Sequence, residues 1–169
     1  MVIEGQTLLL LSHVDEEIML LKEQSKSLFP PVPQSFGALM EMYELNYIQL
    51  RLLLGEFEAL PEYALAKVVG HVPVALTITD RAKHTTNLTL TYCFSSDHEG
   101  GRSYDLDLRV YHDARQVEVV GQTHGLKAQS FLRGTADSML AYRWRTNRFL
   151  YKWIRHLRRH QYQFALTSK

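Results

Sequence analysis

The stretch from Ala141 to His160, AYRWRTNRFLYKWIRHLRRH, carries Arg143, Arg145, Arg148, Lys152, Arg155, Arg158 and Arg159 and no acidic residue. Trp144, Phe149, Tyr151 and Trp153 lie among these cations. Guanidinium and ammonium groups neutralise phosphates, and neighbouring rings offer bases a surface to stack on. Projected as a helix at about 100° per residue, Met139, Tyr142, Thr146, Phe149, Leu150, Trp153, Ile154 and Leu157 share one side, which is the expected core side. Arg145, Arg148, Lys152, Arg155, His156 and Arg159 share the other. Trp144 and Tyr151 project beside Arg148 and Arg155, outside the apolar stripe. Arg143 falls nearer the core side, where it is expected to meet an acid or a carbonyl.

The first candidate surface is therefore Trp144, Arg145, Arg148, Tyr151, Lys152, Arg155 and Arg159, set to receive nucleic acid or another polyanion. Two blander readings stand beside it. Long arginine stems can simply shield a core while their heads stay in water. The cations can also meet acids of the same chain or of a protein partner. Residues 1–60 hold nine acids against three bases, a balance of −6, although the whole chain carries only +1. No recognised nucleic-acid-binding motif accompanies the basic run.

A second candidate lies in the middle of the chain. Asp107, Arg109 and Tyr111 alternate along one apparent strand and so share a face, together with Thr77, Thr79, Thr89, Thr91 and Glu118 of other strands. Arg109, Tyr111, His112 and Asp113 could then form a shallow site for a nucleotide-like anion. The plainer reading is a wet sheet face with cross-strand pairing, as between Arg109 and Glu118. Asp113 could work with His112 as an acid or base, but an Asp there more simply opens a hairpin turn.

Histidines recur at His71, His84, His98, His112 and His124 near strand ends, with Asp80, Asp97, Glu99 and Asp113 as nearby carboxylates. None falls in a metal-ligand spacing motif, so no metal is expected. The single cysteine, Cys93, excludes an intrachain disulfide and a multi-cysteine zinc site. Phosphate loop, dinucleotide fingerprint, nucleophile elbow and zincin motif are all missing from the sequence. The first reading is a binding or regulatory domain with no catalytic residue and no cofactor; the alternative is a small enzyme or ligand binder for a nucleotide-like anion on the polar sheet face.

The elements that must position these residues read as α+β. Asp15 to Ser27 has the spacing of a short amphipathic helix, and the FPPVP run at 29–33 forbids a helix and favours an extended linker. Residues 1–34 are thus expected to be an appendage, and 35–169 a single domain. Ser35 can cap, and Gly55 can close, a helix whose stripe is Leu39, Met42, Tyr43, Asn46, Leu50, Leu53 and Leu54. Strands are expected at Tyr63 to Val69 and around Val74–Ile78, Leu88–Phe94, Leu106–Val110 and Val117–Val120. Their connections are too short for crossover helices, so the strands should form an antiparallel meander of about five. Residues 121–136 read as a loop, with Thr135 or Asp137 capping a long C-terminal helix. Helices should cover the apolar face of the sheet. No uninterrupted apolar run is long enough to span a bilayer, and the N-terminus lacks the basic start of a secretory signal. A cytoplasmic protein is expected, without a membrane partner.

Three stretches, MYELNYIQLRLLL at 42–54, HTTNLTL at 84–90 and LRVYHDARQVEVV at 108–120, together resemble the YqiB-like family of small bacterial proteins, a domain of unknown function. NRFLYKWIRH at 147–156 fits the same pattern. The resemblance covers roughly Ser35 to His160 and implies no established activity and no catalytic residues.

Overall fold

The computed structural model describes residues 35–94, 104–122 and 136–164. The expected N-terminal helix and proline linker, the cap at Thr135, and His98 and His124 lie outside them. Helix α1 spans Phe36–Leu54, a short 3-10 turn spans Phe57–Ala59, and helix α2 spans Ala136–Arg159. Between them run β1 (Tyr63–Ala66), β2 (Val74–Arg81), β3 (Thr85–Tyr92), β4 (Tyr104–Tyr111) and β5 (Gln116–Gln122). The strands form one sheet in chain order, each pairing antiparallel with the next. This is the α+β meander that the alternation and the short connections predict.

The caps of α1 are where the sequence puts them. Ser35 Oγ accepts from the Ala38 amide at 3.2 Å, and Gly55 takes a positive φ of 77° that only glycine adopts freely. Its buried residues are Leu39, Met42, Tyr43, Leu45, Asn46, Tyr47 and Leu50, whereas Leu53 and Leu54 are half-buried. The buried arc is wider than one stripe because α1 packs against both α2 and β5.

One face of the sheet is dry. Leu76, Leu88, Leu90, Leu106, Leu108 and Val110 meet Leu150, Ile154 and Leu157 of α2 and Leu39, Met42 and Leu50 of α1 in the buried set. The first strand is shorter than predicted. The chain leaves it after Ala66 and turns through Gly70, whose φ is 78°, toward Pro73, which has no amide to give to a ladder. The β4–β5 register shifts between Asp107 and Leu108, leaving the exposed Val120 as the extra, bulged residue of β5. It places Gly121 beneath Asp107, whose Oδ2 lies only 2.7 Å from where a Cβ at 121 would sit.

The β5 edge is closed by side chains. Asn147 of α2 is fully buried; its Oδ1 accepts from the Val119 amide at 3.0 Å, and its Nδ2 donates to the Arg143 carbonyl at 2.8 Å. Asn46 Nδ2 of α1 donates to the Asn147 carbonyl at 3.2 Å and to its Oδ1 at 3.4 Å. One asparagine thus ties both helices to the sheet edge and removes a backbone donor that could pair with another chain.

Helix α2 ends in a Schellman turn. The Tyr162 amide donates to Leu157 O at 3.0 Å and the Gln161 amide to Arg158 O at 3.1 Å, with Gln161 at φ 57°. The turn carries Tyr162 back to the sheet, where its hydroxyl donates to Val72 O at 2.8 Å.

Tyrosine burial makes a pH prediction. Removal from water raises the pKa of Tyr43, Tyr47, Tyr92, Tyr111 and Tyr162 above the ordinary phenol value. At Tyr43 the Arg143 guanidinium opposes this rise and the Glu118 carboxylate adds to it. Above a pH of about 10 the folded chain therefore holds more protons than the unfolded chain, and stability falls as pH rises. Thermal midpoints measured from neutral pH into that range are expected to drop progressively. A midpoint that stays flat there would contradict the burial of these phenols.

Candidate basic interface on the outer face of helix α2

Helix α2 is 24 residues long and buries roughly half of its circumference. Thr146, Leu150, Trp153, Ile154 and Leu157 face the core, as the spacing predicts. Trp144 and Tyr151 overturn the expectation. They are 6% and 3% exposed and form a cluster with Leu39, Met42, Tyr43 and Leu45 of α1. The projection assumed one covering layer, the sheet. A helix with a second neighbour at its side needs a wider apolar arc, and these two rings fill it. Neither ring can therefore stack on a base.

Phe149 moves the other way. The spacing assigns it to the core, yet it is 39% exposed and stands among Arg145, Arg148 and Lys152 on the solvent side. Behind it runs a chain of rings: Phe149 to Trp153 at 6.0 Å, Trp153 to Tyr92 at 4.7 Å, and Tyr92 to the half-exposed Phe94 at 5.8 Å. Phe149, rather than Trp144 or Tyr151, is thus the exposed ring beside these cations.

The cations divide into two groups. Arg143 is occupied as expected: its Nη1 donates to Glu118 Oε2 at 2.9 Å, and the neighbouring Tyr43 hydroxyl raises its pKa. Arg158 Nη1 donates to Gln49 Oε1 of α1 at 2.7 Å, and burial lowers its pKa, with Arg155 adding to that. Arg143 thus links α2 to β5, and Arg158 links it to α1. Arg145, Arg148, Lys152, Arg155 and Arg159 are exposed on the outer face. Arg155 lies over the Tyr151 ring at 5.4 Å, so the buried tyrosine steers it without neutralising it. Arg51, Arg81 and Arg143 pair with Glu56, Glu62 and Glu118, and none of these pairs involves Arg148, Lys152, Arg155 or Arg159. Arg148, Lys152, Arg155 and Arg159 therefore repel one another at helical spacings with no local counter-charge among the described residues. The acidic N-terminal segment that could meet them lies outside the described residues.

The four residues of the sheet-face candidate do not converge. Arg109 and Glu118 stand opposite one another in the register, but Arg109 Nε donates to Asn87 Oδ1 at 2.9 Å. Tyr111 donates to Glu118 Oε1 at 2.7 Å. His112 turns to the helix-covered side, where Nε2 lies 2.9 Å from the hydroxyl of buried Thr86 and the ring lies 6.0 Å from Phe57. Asp113 caps the hairpin: its Oδ1 accepts from the Ala114 amide at 2.9 Å. The turn reading of Asp113 holds, and the polar groups of this face are engaged across strands. Cys93 is a half-buried free thiol. Among the described residues, no His, Cys, Asp or Glu group is arranged to hold a metal ion, and no helix is long and apolar enough to cross a membrane.

A five-stranded antiparallel meander backed by two helices, with a basic outer face on the second, defines a small α+β domain. The chain belongs to the family described as Protein of unknown function (DUF1249), which it matches over residues 49–163. No curated protein and no solved structure matches it.

Proposed function

We propose that this is a cytoplasmic bacterial binding or regulatory domain, YqiB-like within its family, whose outer α2 face receives a polyanion, with single-stranded nucleic acid as the first ligand to test. The observation that carries the reading is the set Arg148, Lys152, Arg155 and Arg159, exposed on one face with no carboxylate paired to them among the described residues. Such a face is self-repelling, and a string of phosphates relieves that repulsion while releasing its own counter-ions. Arg145 extends the face toward the N-terminal end of the helix, and Phe149 supplies an exposed ring for stacking. Catalysis is not proposed, because the groups that could do acid-base work, His112 and Asp113, are engaged in packing and turn formation.

The test compares wild-type protein with the Arg148→Glu, Arg155→Glu, Arg159→Glu variant on single-stranded RNA and DNA and on duplex DNA. All three positions are exposed, so the variant is expected to melt like wild type. Its affinity is expected to fall by on the order of 100-fold or more at low salt. Phe149→Ala is expected to weaken single-strand binding by about 1–3 kcal/mol and to leave duplex binding little changed. Equal affinity of the charge-reversed and wild-type proteins would remove α2 from the interface.

A further inference from the structure

His71, His156 and His160 lie far apart in the sequence, yet their rings gather at the C-terminal end of α2. Ring centroids are 4.4 Å apart for His71 and His160, 4.3 Å for His156 and His160, and 6.4 Å for His71 and His156. His156 and His160 are one helical turn apart, and His71 comes from the β1–β2 connection. Two features described above fix this meeting: the Schellman turn at Gln161, and the Tyr162 hydroxyl held on Val72 O. The Tyr162 ring, 6.2 Å from His71, completes the cluster.

We infer that this three-histidine cluster is a proton-linked extension of the basic α2 face, which binds a polyanion more tightly as pH falls. The inference rests on the polyanion reading of that face. His156 lies one turn after Lys152, and His160 follows it by one turn, so the cluster continues the cationic face at the C-terminal end of α2. The three rings lie edge-on or tilted against one another. Protonating them places like charges about a ring diameter apart, next to Arg159. The groups that act on His160 all disfavour its charged form: loss of water contact first, then His156, His71 and Arg159. Among the described residues, the other titratable ring in contact with the cluster is the Tyr162 phenol, whose pKa burial raises further above this range. A bound phosphate chain reverses the balance by supplying the missing counter-charge. Proton uptake and polyanion binding must then favour one another equally. The sequence conceals this arrangement, because His71 and His156 are 85 positions apart and only the fold joins them.

The probe is an oligo-thymidylate single strand, since neither thymine nor a phosphodiester titrates between about pH 5.5 and pH 8. Wild-type affinity is expected to rise at least about ten-fold from the upper to the lower end of that range, the change one linked proton brings over a unit of pH. Calorimetry in two buffers of different ionisation enthalpy should register proton uptake on binding at the lower pH. A His71→Gln, His156→Gln, His160→Gln variant should lose most of the affinity gain between the upper and the lower pH. Binding that is independent of pH, or a pH gain that survives in the variant, overturns the histidine inference and leaves the arginine face standing. No binding at either pH overturns both. If the triple variant folds poorly, His160→Gln alone carries the test: it should lose part of the low-pH gain and take up fewer protons on binding, and an unchanged gain overturns the inference.

Discussion

Trp144→Ala is expected to destabilise the domain by about 3–5 kcal/mol, the range for removing a buried indole from a packed core. The side chain sits between the two helices with Leu39, Met42, Tyr43, Leu45 and Tyr151 around it. Truncation opens a cavity that helix ends anchored at Glu118 and Gln49 cannot readily collapse. Trp144→Phe should cost much less, because the indole Nε1 has no hydrogen-bond partner among the described residues and loses none on replacement. Chemical denaturation of the three proteins gives the comparison directly. The same pair of variants separates structure from binding. Trp144→Phe combined with Tyr151→Phe should keep wild-type affinity for single strands, whereas a base-stacking role for these rings would show as a loss. A Trp144→Ala protein as stable as wild type would contradict the helix–helix packing described above.

Asn147→Leu is the second large effect. Leucine matches asparagine roughly in size but leaves the Val119 amide buried without its acceptor and takes one acceptor from Asn46. The Arg143 carbonyl also loses its side-chain donor. With about 1–3 kcal/mol for each buried group left unpaired, the total is expected near 3–4 kcal/mol. At about 2–4 °C per kcal/mol for a chain of this size, the melting midpoint should fall by roughly 10 °C. Amide hydrogen exchange sharpens the test, since protection should drop first at β5, whose edge Asn147 closes. If exchange at Val119 is unchanged in the variant, the edge-capping role is wrong.

Much of this fold is legible in the residues. Alternation at Val74–Ile78, Leu88–Leu90, Leu106–Val110 and Val117–Val119 marks the strands and their dry face, and Ser35 and Gly55 bracket α1. Short connections imply the meander. What stays hidden is whatever depends on a second neighbour. Periodicity gives the angle at which Trp144 and Tyr151 leave the helix, but not that α1 waits at that angle. The opposite error at Phe149 has the same origin, since it sits at the border of an arc whose width the sequence does not state. The Val120 bulge breaks alternation without a Gly or Pro at the bulged position itself. The local trace is Gly121, where an added Cβ would crowd the Asp107 carboxylate. Arg109 opposite Glu118 was readable from register, yet Asn87, Tyr111 and Arg143 take the actual bonds. The division of α2 cations into structural and outward groups depends on α1 supplying Gln49 and β5 supplying Glu118. Sequence reasoning anticipated that kind of partner for Arg143 and not for Arg158.

The central claim is that Arg148, Lys152, Arg155 and Arg159 together meet phosphates. The salt dependence of affinity counts such contacts. For wild-type protein on a single-stranded oligonucleotide, four neutralised phosphates predict a log–log slope of about −3, and the Arg148→Glu, Arg155→Glu, Arg159→Glu variant should lose most of that slope with its affinity. A wild-type slope near zero, or a steep slope that the variant retains, would contradict the claim.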